Sequence, residues 1–189
     1  LNLIFIKPFY DNEKYIDALK KSIDPFIQKE KFDKLIFSYH GIPKRQAKKT
    51  DITGSHCFSS SDCCETICPG SSDCYRAHTV QASNKVAEKL GLSDSQWEIA
   101  YQSRLGPGWL TPFTDKRLAE MPNKDLKSVL VVCPSFISDC LETLEEIEIR
   151  GRETFFNSGG QNMTYIPCLN DSGDTINLLE SLVLESEIK

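Results

Sequence analysis

Short apolar runs alternate with longer amphipathic stretches along the chain. Leu1–Ile6 (LNLIFI) reads as a strand, ended by Pro8. From Asp11, the residues Tyr15, Ile16, Leu19, Ile23, Phe26 and Ile27 recur at helical spacing and predict a helix to about Gln28. Leu35–Tyr39 (LIFSY) is a second strand, stopped by His40-Gly41 and Pro43. A helix follows over Arg76–Leu90 and stops at Gly91. Trp97–Gln102 (WEIAYQ) is a third strand, followed by a turn-rich stretch and a short helix over Asp115–Glu120. Ser128–Cys133 (SVLVVC) is almost wholly apolar, as a strand buried on both faces of a parallel sheet must be. A long helix over Asp139–Phe156, a short strand over Thr164–Cys168 and a last helix over Thr175–Leu184 complete the pattern. Five strands separated by helices predict an α/β fold, a parallel sheet flanked by helices on both faces. No repeat or linker divides residues 1–189, so the expectation is one domain carrying a cysteine-rich loop at 55–76.

Composition narrows the possibilities. Apolar residues make up 40% and charged residues 26%, the balance of a globular protein rather than of a disordered or fibrous chain. Lys+Arg number 22 against 27 for Asp+Glu, and the net charge of -5 argues against nucleic acid as a partner. The sequence has no apolar run of membrane length and no leader-like layout at its start, which predicts a cytoplasmic protein. Of its 8 cysteines, Cys57, Cys63, Cys64, Cys68 and Cys74 crowd one loop, whereas Cys133, Cys140 and Cys168 stand alone. A disulfide scaffold would spread its cysteines, so the local crowd reads as metal binding and the other three as buried thiols.

In an open parallel sheet, ligands bind beyond the carboxyl ends of the strands. The residues there include His40, the run Gln102-Ser103-Arg104, and Phe136 with Asp139 after the fourth strand. A histidine so placed is a proton acceptor or a metal ligand, or else a structural histidine bonded to a loop. Asp139, Glu142 and Glu146 are spaced i, i+3 and i+7, which puts three carboxylates on one helix face, opposite Leu141, Leu144 and Ile147. That face either stays solvated or, beside an imidazole, guides a divalent cation and accepts protons in exchange. Trp109, in a Pro/Gly-rich loop, either offers a face to a flat ligand or pins the loop. Phosphate-cradling glycine motifs and the G-x-S-x-G elbow are both missing.

The stretches LIFSYHGIP (35–43), YQSRLGPGWLTPFTD (101–115), VLVVCPSFISDCLETLEEI (129–147) and YIPCLNDS (165–172) resemble the ferrochelatases. Their order and spacing are those of the carboxyl-terminal half of that family, over nearly the whole chain. The resemblance implies one Rossmann-like half of the chelatase fold, and an enzyme that inserts ferrous iron (Fe2+) into a porphyrin to make haem. It also implies that the amino-terminal half, with its pocket residues, is a missing partner, so that this chain alone has little or no activity. By resemblance, His40 and Glu142 are catalytic and meet the substrate iron. Glu146 is the inner-helix carboxylate, Asp139 the active-site aspartate and Trp109 the pocket tryptophan, while Phe136, Gln102 and Ser103 line the pocket. Arg104 is the candidate contact for the acidic side chains of the porphyrin. Membrane contact, if any, is peripheral to the inner membrane.

Some ferrochelatases carry a [2Fe–2S] cluster on internal cysteines, and the resemblance extends that expectation to the spacing C-x5-C-C-x3-C-x5-C. Four of Cys57, Cys63, Cys64, Cys68 and Cys74 would ligate, with only one of the adjacent Cys63 and Cys64, since neighbouring side chains point apart. The rivals are a zinc site using His56 or His78 as substitute ligands, and a redox disulfide pair. Two other functions compete: an iron–sulfur redox-sensing module without chelatase activity, and a cobalt or nickel tetrapyrrole chelatase, against which the 3 histidines argue.

Overall fold

The computed structural model describes residues 3–187. In chain order its elements are α1 (Glu13–Lys29), β1 (Lys34–His40), α2 (Lys44–Lys49), α3 (Tyr75–Lys89), β2 (Trp97–Gln102), α4 (Thr114–Glu120) and β3 (Ser128–Val132). There follow α5 (Leu141–Thr143), a π-helical stretch (Leu144–Gly151), α6 (Arg152–Asn157), β4 (Asn162–Ile166) and α7 (Gly173–Glu187). Two short 3-10 turns, Asp94–Gln96 and Met121–Lys124, lead into β2 and follow α4.

The four strands pair in parallel in the order β2-β1-β3-β4. β1 is central because its residues are apolar on both faces. Leu35, Phe37 and Tyr39 face a layer built with Ile16, Leu19 and Ile23 of α1, Val86 of α3 and Leu178 of α7. Ile36 faces the other layer, where Leu118 of α4, Ile147 and Phe155 pack on Val129 and Val131. Helices thus cover both faces, as parallel strands require. Register sets the site: His40 pairs with Gln102, and Phe37 with Val132, so the chain leaves all three strands near one edge.

Local chemistry explains the ends. The Asn12 side chain accepts the amides of Lys14 (2.9 Å) and Tyr15 and caps α1. Pro25 lies on the exposed side of that helix, where a missing donor costs least. At the outer edge of β2, the Tyr101 amide donates to the Pro112 carbonyl (2.8 Å), and residue 101 forms a bridge with Phe113.

Several expectations change. Leu3–Ile6 is not a strand: the segment is exposed, with Phe5 85% accessible, and no neighbouring strand takes its backbone bonds. Leu1 and Asn2 lie outside the described residues. Among the described residues, four strands therefore replace the five expected. α2 was not signalled by any apolar periodicity, because only Ala47 of its residues is buried. β4 ends two residues earlier than expected, before Pro167, which has no amide to donate. The long helix starts at Leu141, leaving Asp139 and Cys140 outside it, and is π-helical in its middle. Leu141 and Leu144, expected to be its buried side, are exposed, whereas Ile147 is buried. Among the described residues no helix is long and apolar enough to cross a membrane.

The turn after α6 is sterically exacting. A Cβ on Gly160 would fall 2.2 Å from the ring of Phe155, which has no solvent exposure and nowhere to move. Gly160→Ala is expected to destabilise the fold by about 1–3 kcal/mol, measured by urea denaturation, as overpacking does. Gly106→Ala, with nothing near its added carbon, should leave the midpoint almost unchanged.

Candidate functional site

His40 is the last residue of β1, and its backbone is held at both ends. Its amide donates to Ser135 Oγ (2.9 Å), and its carbonyl accepts from the Tyr75 hydroxyl (2.8 Å). The ring Nδ1 lies 2.7 Å from the Gly41 carbonyl. A carbonyl only accepts, so Nδ1 carries the proton and the neutral ring keeps its lone pair on Nε2. The ring stands 5.9 Å from that of Phe136. Gly41 is required next to it, because a Cβ there would come 2.9 Å from the Gln102 carbonyl and 3.4 Å from Cε3 of Trp109. Trp109 in turn bridges Pro43, so it closes the loop after β1 with its ring half-buried.

Gln102 belongs to the interior rather than to the pocket wall, with only 2% of its surface exposed. Its Oε1 accepts from Ser38 Oγ (2.7 Å) and from the Cys133 thiol (3.3 Å), and Nε2 donates to the Glu142 carbonyl (2.5 Å). Ser38 also meets Thr114 Oγ1 at 2.8 Å. One amide thereby joins β1, β2, the end of β3 and the start of the helix that bears the carboxylates. Its polar atoms are satisfied, as burial demands.

The carboxylates then divide into different roles. Glu142 is exposed; a bond from the Cys140 side chain, its own amide and the nearby His40 hold it below the usual carboxylate range. Glu146 is latched: the Ser103 amide and hydroxyl each donate to one of its oxygens at 2.7 Å. Ser103 adopts φ 60 to do so, a left-handed conformation rarely used by residues with a Cβ. Asp139 is not on the helix face with them. Partial burial opposes its charge, but Asn170 Nδ2 (2.8 Å) and the Tyr165 hydroxyl (2.5 Å) hold it below the usual range, with Thr143 and the Cys168 amide as further donors. It fixes the turn after β3 to the turn after β4. Arg104 is likewise engaged: its guanidinium forms a two-pronged ion pair with Asp115 and lies 4.1 Å above the ring of Phe113. The expected basic contact is thus already neutralised in this structure.

An aromatic cavity of about 210 Å³ is lined among others by Phe9, Tyr10, Tyr15, Tyr39, Tyr75 and Pro134, and by Ser135, whose Oγ accepts the His40 amide. Tyr15 donates to the Pro134 carbonyl (2.7 Å), and Tyr10 stacks on His78 at 3.9 Å. Helical spacing marks Tyr15 only as one of the recurring positions of the first helix, and the sequence pattern singles out neither Tyr10 nor Tyr75. Their only available signal was a cluster of tyrosines bordering the first and third helices.

The cysteine loop is organised by a carboxylate. Asp51 accepts from the Thr53 hydroxyl (2.6 Å) and from the amides of Cys57 (2.7 Å), His56 and Thr53, and these donors hold it well below the usual range. Cys57, Cys63, Cys64 and Cys74 are buried together with Ala47 and Ala77. The sulfurs of Cys63 and Cys64 lie 3.8 Å apart, so these neighbours do not point away from each other as expected. Burial and adjoining thiols push Cys57 up to about 11, whereas the Cys64 thiol and the amides at the start of α3 lower Cys74 to about 5. Cys68 stands apart, 3.6 Å from His56 Nε2, and is lowered by the Ser71 hydroxyl. His78 is occupied with the Ser72 carbonyl (2.7 Å) and faces Tyr10. Among the described residues, no three His, Cys, Asp or Glu side chains converge as donors to one metal ion.

The sequence model for ferrochelatase matches residues 1–187. The chain is 42% identical over 184 residues to the ferrochelatase of Pseudomonas fluorescens (strain Pf0-1) and 44% identical over 185 residues to that of Stutzerimonas stutzeri (strain A1501). In both cases 96% of the chain and 54% of the relative are covered. The ferrochelatase of Opitutus terrae (strain DSM 11246 / JCM 15787 / PB90-1) is 42% identical over 184 residues, 97% of the chain and 53% of the relative. The chain therefore spans about half the length of these curated relatives, and the half it matches is the carboxyl-terminal one. With a near-complete family match, an α/β fold of parallel strands, and His40 and Glu142 at one sheet edge, this chain belongs to the ferrochelatase family.

Proposed function

We propose that residues 1–189 form a single α/β domain that supplies the metal-handling half of a cytoplasmic porphyrin–iron chelatase, acting with an amino-terminal half. The observation that carries this reading is the His40 tautomer: Nδ1–H is committed to Gly41, so the lone pair on Nε2 is free to accept a proton, and the anionic Glu142 lies near it. Metallation breaks two pyrrole N–H bonds and forms metal–nitrogen bonds as Fe2+ enters. Nε2 of His40 takes one proton, and the exposed Glu142 carboxylate escorts the cation and relays the other proton to solvent. Glu146 holds the Ser103 loop against the helix, since both its oxygens are already used. The aromatic cavity and Phe136 supply apolar surface for a flat macrocycle. Neither the sensor reading nor the cobalt or nickel reading uses this pairing of an oriented imidazole with an exposed carboxylate.

The same proposal gives the cysteine loop a [2Fe–2S] cluster. Two thiolates bound about 2.3 Å from one tetrahedral metal sit about 3.8 Å apart, which is the Cys63–Cys64 separation. A single zinc ion needs its donors converging on one point, whereas a two-iron cluster takes thiolates in pairs. Cys57, Cys63, Cys64 and Cys74 are the four that share one buried wall. They would hold the cluster, which would serve as a structural staple of the loop, with Cys68 outside the set.

Three outcomes are expected. In the full-length protein, His40→Ala and Glu142→Gln should each lower porphyrin metallation by about 10²-fold or more, with the visible absorption of the loop unchanged; retained activity would refute the site. The 189-residue chain alone should metallate porphyrin little or not at all. Protein purified without oxygen should contain about two irons and two sulfides; zinc without sulfide would replace the cluster by a mononuclear site.

Asp51 provides a separate check. Its folded pKa is depressed, so its stabilisation is present above the unfolded value of about 3.9 and fades as pH falls below it. Amide exchange at His56 and Cys57, relative to intrinsic rates, should therefore rise on acidification below about pH 4, and at neutral pH in Asp51→Asn.

A further inference from the structure

Between α2, the cysteine loop and α3 lies a cavity of about 330 Å³ that the chelatase reading does not use. Lys44, Arg76, Ser61, Thr111, Phe58 and Leu110 line most of it. Its charge is one-sided. No Asp or Glu occurs from residue 34 to residue 50, although the chain as a whole carries a net charge of -5. Among the described residues, Lys44 and Arg76 form no ion pair, nor do Arg45, Lys48 and Lys49 on the same helix, whereas Arg104, Arg117, Arg150 and Arg152 all do. In the loop, Asp62 accepts from Ser60 at the rim.

The Arg76 guanidinium and the backbone of Lys44 are held in place before any ligand arrives. The Arg76 guanidinium lies 5.5 Å above the Phe58 ring, donates to the Ser61 carbonyl (3.3 Å) and touches the Cys63 sulfur (3.5 Å). Those contacts use two of the five N–H groups of an arginine and leave the others for a ligand. The Lys44 amide donates to the Gly108 carbonyl (2.8 Å), and the Leu110 amide to the Ile42 carbonyl (2.9 Å), which fix α2 to the floor of the cavity. The hydroxyls of Ser61 and Thr111 make no hydrogen bond among the described residues and are free to donate. A fixed guanidinium fork, an ammonium and two hydroxyls over an apolar floor form a recognition set for a tetrahedral dianion on a short body. The volume is at the lower end of small-ligand pockets and suits no more than that.

We propose that this cavity binds a phosphate monoester, with the phosphoryl group between Lys44 and Arg76 and its short carbon body against Phe58 and Leu110. Because Arg76 also touches Cys63, occupancy bears on the cysteine loop. Two sources share this chemistry: a soluble phosphorylated metabolite and the headgroup of an anionic phospholipid.

The test is titration calorimetry of the full-length protein with glycerol 3-phosphate and with inorganic phosphate at low ionic strength. Saturable binding is expected, weakened at least about tenfold by Lys44→Gln and by Arg76→Gln, the loss of one charge-assisted hydrogen bond. The ion-paired surface residue Lys89 gives the control, and Lys89→Gln should bind as the wild type does. Lys44 is exposed, so its variant keeps the test valid if Arg76→Gln disturbs the loop. Co-sedimentation with phosphatidylglycerol vesicles, but not phosphatidylcholine vesicles, and its reversal by glycerol 3-phosphate, would support the lipid source. Saturable binding of glycerol 3-phosphate without co-sedimentation would support the soluble one. No binding of either phosphate, or binding that Lys44→Gln leaves intact, or an equal loss in Lys89→Gln, would overturn the proposal.

Discussion

The side-chain amide of Gln102 is the contact on which the site depends. A buried amide must satisfy both a donor and an acceptor, and here each requirement points to a different element. Its acceptor side draws in Ser38 of β1 and Cys133 beyond β3; its donor side takes the backbone carbonyl of Glu142. The polar group that looks least compatible with a core therefore sets the distance between the sheet edge and the carboxylate helix. Losing it would leave the Cys133 thiol and the Glu142 carbonyl without this partner, and a buried polar group left unmatched costs more than the bond itself contributes.

Around that strut the acidic residues divide the labour. Glu146 and Asp139 have given their oxygens to neighbouring donors, and each fastens one loop: Glu146 the segment after β2, Asp139 the turns after β3 and β4. Glu142 alone projects to solvent beside His40. Three carboxylates that look equivalent along a helix thus differ in what remains available to a substrate. The decisive variable is how many donors each has already collected.

Much of this was legible in the sequence, and the failures have physical causes. β1 and β3 announced themselves because a strand buried on both faces is apolar almost throughout. The same logic misread Leu3–Ile6, since an apolar run reports a need for burial and not the presence of a neighbouring strand. Periodicity located the long helix but not its π-helical middle, because a reading at α-helical spacing assumes the α-helical turn throughout. It also carried Asp139 into the helix face, because spacing does not reveal that Cys140 is the capping residue. His40, Glu142 and the cysteine crowd were visible as chemistry. The occupation of Arg104 by Asp115 and the role of Asp51 were not, for both depend on partners fixed only by the folded loops.

The pairing of Tyr101 with the 112–113 segment has a consequence for how the sheet ends. A parallel sheet has two open flanks, and each exposes a row of unpaired backbone groups that invites another chain to add. Along β2 that row is interrupted where the Pro112 carbonyl has taken the Tyr101 amide, and a proline there has no hydrogen to pass further outward. A chain adding at that flank would therefore find its carboxyl end already taken at Tyr101, and the ladder could not run the full length of β2.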